Sequence, residues 1–152
     1  MSVKITLKKP KIYELGIAQT LVARNMSNFR NDILKEYELS SAGWFVLGLV
    51  QNKTPKGGIR VTDLAAILDV KTTYITTTLN SLREKGYVDT RSDKRDARVR
   101  LVVITKEGSK AIAAVEKHLQ KETEKFLGDR VTSEQFANYV HVLQEIAQSP
   151  AV

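Results

Sequence analysis

Between Val61 and Thr105 the chain passes, without a gap, through two short helical periodicities and a charged β-rich hairpin, and few folds accommodate that order in so few residues. Thr62 precedes Asp63-Leu64-Ala65-Ala66-Ile67-Leu68, where a hydroxyl can cap a helix whose first turn carries an acid facing the positive end of the helix dipole. After Asp69-Val70-Lys71 the spacing predicts a second helix from Thr72 to Lys85, with Ile75, Leu79 and Leu82 four and three residues apart on one inward face. Gly86 stops it. Tyr87-Val88-Asp89-Thr90-Arg91 and Val99 through Ile104 then read as strand arms around the polar tip Ser92 through Arg98. Together these pieces have the shape of a winged helix-turn-helix.

The outer side of the second helix breaks a local rule. Thr72, Thr73, Thr76, Thr77 and Thr78 crowd a segment in which β-branching lowers helix propensity, and propensity alone favours a strand. The helical spacing, the good formers Leu82-Arg83-Glu84-Lys85 and the closing glycine decide for a helix. An exposed face of Thr72, Thr73, Thr76, Thr77 and Asn80 fits a major groove, offering hydrogen bonds to base edges and phosphates and methyl groups to thymine. The plain alternative is a solvated face.

The hairpin favours the groove. From Arg91 to Arg100 there are five basic residues and two acids, a net +3 in ten positions. Placed directly after a recognition helix, an arginine tip reaches the narrow minor groove, whose negative potential attracts guanidinium. Arg91, Lys94, Arg95 and Arg98 are therefore the expected wing contacts. Asp93 and Asp96 would repel DNA if free, so they are expected to brace neighbouring arginines through charge-assisted hydrogen bonds.

Leu64-Ala65 in the first helix, Lys85-Gly86-Tyr87-Val88 at the entry to the wing, Asp93-Lys94-Arg95-Asp96 at its tip, and Leu101 with Ile104-Thr105-Lys106-Glu107-Gly108 behind it resemble the MarR family of transcriptional regulators. The order and spacing of these pieces, over about a third of the chain, carry the resemblance. It implies a homodimeric DNA-binding regulator of prokaryotic type, with Arg95 as the minor-groove residue and Thr72 through Lys85 as the recognition helix. It also implies that first and last helices interleave with those of a second subunit. A pocket for a small aromatic or anionic effector is implied as well, for which Tyr13, Arg24, Arg30 and Trp44 are candidates, although packing is the better reading of all four.

The rest of the chain suits such a frame. At 152 residues, 42% apolar and 27% charged, it has the material for one domain with a core. A formal charge of +7 points to a polyanionic partner, most simply double-stranded DNA, with an acidic membrane surface as the weaker option. No apolar run is long enough to span a membrane and no signal-peptide core follows Met1, so a cytoplasmic location is expected. The absence of cysteine excludes disulfides, thiolate zinc and thiol sensing.

Taken in order, the first nine residues read as a basic arm, and Pro10 sits where a helix can begin. Ile12, Leu15, Ala18, Val22, Met26, Phe29 and Ile33, widened by Leu21, Leu34 and Tyr37, predict a long helix from Lys11 to Tyr37 whose stripe is too broad for a small winged module to cover. Ser40 is placed to cap a shorter helix, Ala42 through Val50, with Trp44 and Phe45 in the core. Asn52 through Gly58 reads as a loop and Ile59-Arg60-Val61 as a short strand beside the wing. Thr105 is placed to cap a helix that runs to Leu127 and ends at Gly128-Asp129. Thr132 and Gln135 match a capping box for a last helix carrying Phe136, Val140, Leu143 and Ala147.

The expected architecture is mainly α with a small β wing: residues 1–152 as one domain, 40–105 the winged helix-turn-helix, and 10–38 with 106–148 the helical dimerisation region. Nothing in the sequence suggests catalysis. His118 and His141 lack metal-ligand spacing, no serine has a nucleophile-elbow context, Glu122 and Glu124 lie on a lysine-rich helix face, and no cofactor is expected. The expected function is a sequence-specific double-stranded DNA-binding regulator, a repressor acting as a homodimer on a pseudo-palindromic operator. The alternative is a winged-helix module that binds protein. The basic wing separates the two, because buried protein interfaces deplete lysine whereas duplex binding needs cations.

Overall fold

The computed structural model describes residues 11–128 and 130–148. The chain is mainly α-helical with a two-stranded β wing. In order the elements are α1 (Ile12–Lys35), α2 (Ser41–Lys53), a 3-10 turn (Thr54–Lys56), α3 (Val61–Leu68), α4 (Thr72–Glu84), β1 (Val88–Ser92), β2 (Arg100–Ile104), α5 (Lys106–Leu127) and α6 (Ser133–Gln148). Two compact units emerge, residues 1–115 and 116–152, with the boundary inside α5. The basic arm expected over the first nine residues, Pro10 and Asp129 lie outside the described residues.

The first unit is held by one core. Val46, Leu47 and Val50 of α2, Leu64 of α3 and Ile75, Leu79 and Leu82 of α4 are almost wholly buried. Val88 and Val102 of the hairpin join them, with Ile112 and Val115 of α5. Each fully buried side chain of this size contributes about 1.5–3 kcal/mol of hydrophobic stabilisation. The turn between α3 and α4 spans three residues. Asp69 takes a left-handed conformation there (φ 51°), and the N–H of Val70 reaches back 3.0 Å to the carbonyl of Ala65. Gly86, at φ 72°, closes α4 as expected, and the Tyr87 N–H donates to the Leu82 carbonyl at 2.9 Å.

The hairpin pairs antiparallel, from Val88 opposite Ile104 to Ser92 opposite Arg100. Its outer partner is a single residue. Ile59 exchanges both backbone hydrogen bonds with Val102, at 3.0 and 2.8 Å, so the short strand expected over Ile59 through Val61 shrinks to one bridge. The reason is that α3 begins early. The N–H groups of Asp63 and Leu64 already bond the carbonyl of Arg60, which makes Arg60 the N-cap, draws Val61 into the helix and leaves Thr62 inside the first turn without a capping role.

The expected loop at Asn52 through Gly58 is likewise mostly helical. Thr54 donates its hydroxyl to the Val50 carbonyl at 2.7 Å and accepts the Ile104 N–H at 2.9 Å, tying the end of α2 to the wing. Three caps lie where the sequence places them. Ser40 Oγ accepts the Gly43 N–H at 3.0 Å, Thr105 Oγ1 accepts the Gly108 N–H at 3.0 Å, and Thr132 and Gln135 exchange both capping-box bonds.

Trp44 and Phe45 depart from expectation. The core face of α2 is filled by Val46, Leu47 and Val50, which turns Phe45 outward (40% exposed) and leaves Trp44 half-buried. Their rings lie 5.0 Å apart, and the Arg30 guanidinium sits 5.4 Å from one and 5.3 Å from the other. Partial burial pulls the Arg30 pKa below the ordinary arginine value, and the ring faces offset that loss of water.

Candidate nucleic-acid interface

α4 is positioned by its buried edge. With Ile75, Leu79 and Leu82 in the core, helical geometry turns Thr73, Thr77 and Asn80 to the far side and Thr72 and Thr76 to its flank, and all five are exposed. The threonine run remains helical because its hydroxyls turn back on the helix. Thr76, Thr77 and Thr78 donate to the carbonyls of Thr72, Thr73 and Tyr74 at 3.0, 3.1 and 3.0 Å. Asn80 Oδ1 accepts from Arg83 at 3.1 Å, which leaves the Asn80 amide hydrogens as outward donors. Tyr74, which sequence reasoning passed over, is also exposed on this helix.

The wing tip is built by its carboxylates through the backbone. Asp93 Oδ1 accepts the Arg95 N–H at 2.7 Å and Asp96 Oδ1 accepts the Arg98 N–H at 3.0 Å, while Asp93 and Val99 close the turn across its base. The expected bracing of arginine side chains is therefore mostly a bracing of arginine backbones. Of the described wing arginines, only Arg98 brings its guanidinium near a carboxylate, 3.8 Å from Asp96, and at 96% side-chain exposure that pair contributes little. Lys94, Arg95 and Arg98 stand exposed at the tip.

Arg91 is differently placed. Its Nε donates to the Gly57 carbonyl at 3.0 Å, so it anchors β1 to the turn after α2 as well as carrying charge. Beside it lies a cleft lined by Lys56, Gly57, Arg91, Lys94 and Arg95, which adds Lys56 to the basic surface. Only the lysine in a Pro-Gly segment hinted at this, because its approach to the wing depends on a contact 34 residues away in sequence. Arg100 turns along the strand and donates to Ser92 Oγ at 3.1 Å. Among the described residues no group of three or more His, Asp or Glu side chains is placed to hold a metal, and no helix is long and apolar enough to cross a membrane.

Comparison with known proteins agrees with this geometry. The model of the MarR family matches residues 38–99, from just before α2 to the wing. YwoH of Bacillus subtilis (strain 168), described as an uncharacterised HTH-type transcriptional regulator, is 30% identical over 118 residues, covering 78% of this chain and 80% of that protein. Among solved structures, CouR from Rhodococcus jostii RHA1 bound to p-coumaroyl-CoA superposes with a TM-score of 0.78 at 20% identity, over 91% of this chain and 94% of its own. A mutant MarR from E. coli complexed with operator DNA gives 0.73 at 21% identity, over 89% and 94%.

Proposed function

The chain belongs to the MarR family of transcriptional regulators, which are not enzymes, and from that premise we propose that it binds a pseudo-palindromic DNA operator as a homodimer and represses transcription there. The observation that carries this reading is the pairing of an exposed, short-side-chain face on α4 with an arginine-bearing wing in one compact unit. In a two-fold dimer the recognition helices enter successive major grooves, so half-sites about 10 base pairs apart, centre to centre, are expected. Occupancy of promoter DNA by such a dimer blocks polymerase, which is the proposed repression. The cytoplasm is the proposed location, and a small aromatic or anionic molecule that releases the operator completes the proposal. Footprinting on the DNA upstream of its own reading frame is expected to show two protected half-sites at that spacing. Absence of any protected pair contradicts the reading.

Arg95 is the proposed minor-groove residue. Its backbone is pinned by Asp93 while its side chain is exposed at the wing tip. Arg95→Ala should weaken operator binding by about 1–3 kcal/mol and lower the slope of log affinity against log salt by about 1, most strongly where A·T pairs flank the half-sites. Lys94→Ala should cost charge without that preference for flanking sequence. Unchanged affinity and slope for Arg95→Ala would move the assignment to Arg98 or Arg91.

A further inference from the structure

Building on that operator-binding reading, we infer that the middle of α4 reads its half-site through methyl groups and hydrogen-bond acceptors, and so selects A·T pairs over guanine where Thr76 and Thr77 face the bases. The starting point is where the hydroxyl protons go. Thr76 and Thr77 each donate to a carbonyl of their own helix, at 3.0 and 3.1 Å. What each side chain then presents outward is an oxygen that can only accept and a methyl group.

The cations that could offset this lie at the ends of the helix. Between Thr72 and Leu82 there is no lysine or arginine. Lys71 stands just before this stretch, exposed beside Thr73 at the start of the helix, while Arg83 after it donates to Asn80 at 3.1 Å and Lys85 is paired with Glu38 at 3.2 Å. The commonest guanine contact, a bidentate Arg or Lys on O6 and N7, is therefore missing from the middle of the recognition surface.

The chemistry of the groove decides the rest. Guanine presents two acceptors in the major groove, which Thr76 and Thr77, with their hydroxyl protons given to the helix, leave desolvated and unpaired. Adenine and cytosine each present an amino group that can donate to a threonine oxygen, so the preference for A·T rests on thymine, whose methyl packs against the threonine methyl. Asn80 is the exception. With Oδ1 taken by Arg83, its amide offers donors, so the base position it faces accepts a purine N7 or O6.

The test uses the full chain and a random duplex library. Selected half-sites should be A·T-rich beneath Thr76 and Thr77, and replacing their thymines by uracil, which removes only the 5-methyl group, should weaken binding about fourfold per methyl contacted. Thr77→Ser keeps the hydroxyl and drops the methyl, so it should lose the uracil effect at one position and keep it at the others. Thr77→Val keeps the methyl and should retain that effect while discriminating less well for adenine. Guanine enriched beneath Thr76 and Thr77, or uracil-substituted sites bound as tightly as the thymine originals, overturns the inference and leaves operator binding intact. If no sequence is enriched at all, the operator-binding reading falls with it.

Discussion

Replacing Gly108 with alanine is expected to destabilise the winged unit by about 3 kcal/mol, near the top of the range for overpacking, and to lower its melting temperature by roughly 6–12 °C. The cause is space. A Cβ at Gly108 would overlap the carbonyl oxygen of Tyr87 and lie 2.8 Å from Ile104 Cγ1. The first turn of α5 rests directly on the turn that ends α4, where Thr105 donates its N–H to the Tyr87 carbonyl at 3.0 Å and its hydroxyl to the Gly86 carbonyl at 2.6 Å. A backbone carbonyl cannot swing aside as a side chain can, so either α5 shifts or these bonds break. Gly48→Ala provides the contrast. Nothing lies within 4 Å of a Cβ there, and alanine in a helix interior should add about 0.5–1 kcal/mol. Equal melting temperatures for the two variants would show that the contact at Gly108 is not as tight as described.

The second large effect concerns assembly. Ile12, Tyr13, Ile17 and Leu21 of α1 are 47–66% exposed, and Tyr139, Val142, Leu143 and Ile146 of α6 are 43–61% exposed. Apolar stripes of that extent on helices call for a cover, and the proposed cover is a second copy. Val142→Asp with Ile146→Asp changes two side chains that are already exposed, so the single chain should fold unchanged. The particle mass should fall from twice 17.0 kDa to 17.0 kDa. Affinity for the full operator should drop by about 100-fold or more as two-site binding is lost, while affinity for an isolated half-site is retained. A wild-type chain that is monomeric in solution, or a double variant that still dimerises, contradicts the proposal.

Local chemistry was legible in the sequence, and long-range pairing was not. Ile75, Leu79 and Leu82 with Gly86 identified α4 to within a residue, because a helix face and its stop are written in adjacent positions. Ser40, Thr105 and the Thr132–Gln135 pair were equally readable, since each cap bonds three residues away. Thr54 looked like a loop residue because its partner, Ile104, lies 50 residues on. Arg91 looked like a free wing cation for the same reason, its bond to Gly57 being invisible until the hairpin folds back. Trp44 and Phe45 read as core because the helix around them is largely apolar, and the competition for the inner face of α2 is decided by smaller neighbours. The donor state of the threonines was hidden too. Spacing shows that a hydroxyl can reach the i−4 carbonyl, not that it does.

Whether this protein binds duplex DNA through a cationic surface is decided by a salt titration of the full chain on duplex DNA. Affinity should fall linearly in a log–log plot between about 50 and 200 mM salt, with a slope of about −0.9 for each phosphate contacted. Binding that stays unchanged over that range, or that never appears at low salt, would contradict the account and favour a winged module that binds protein instead.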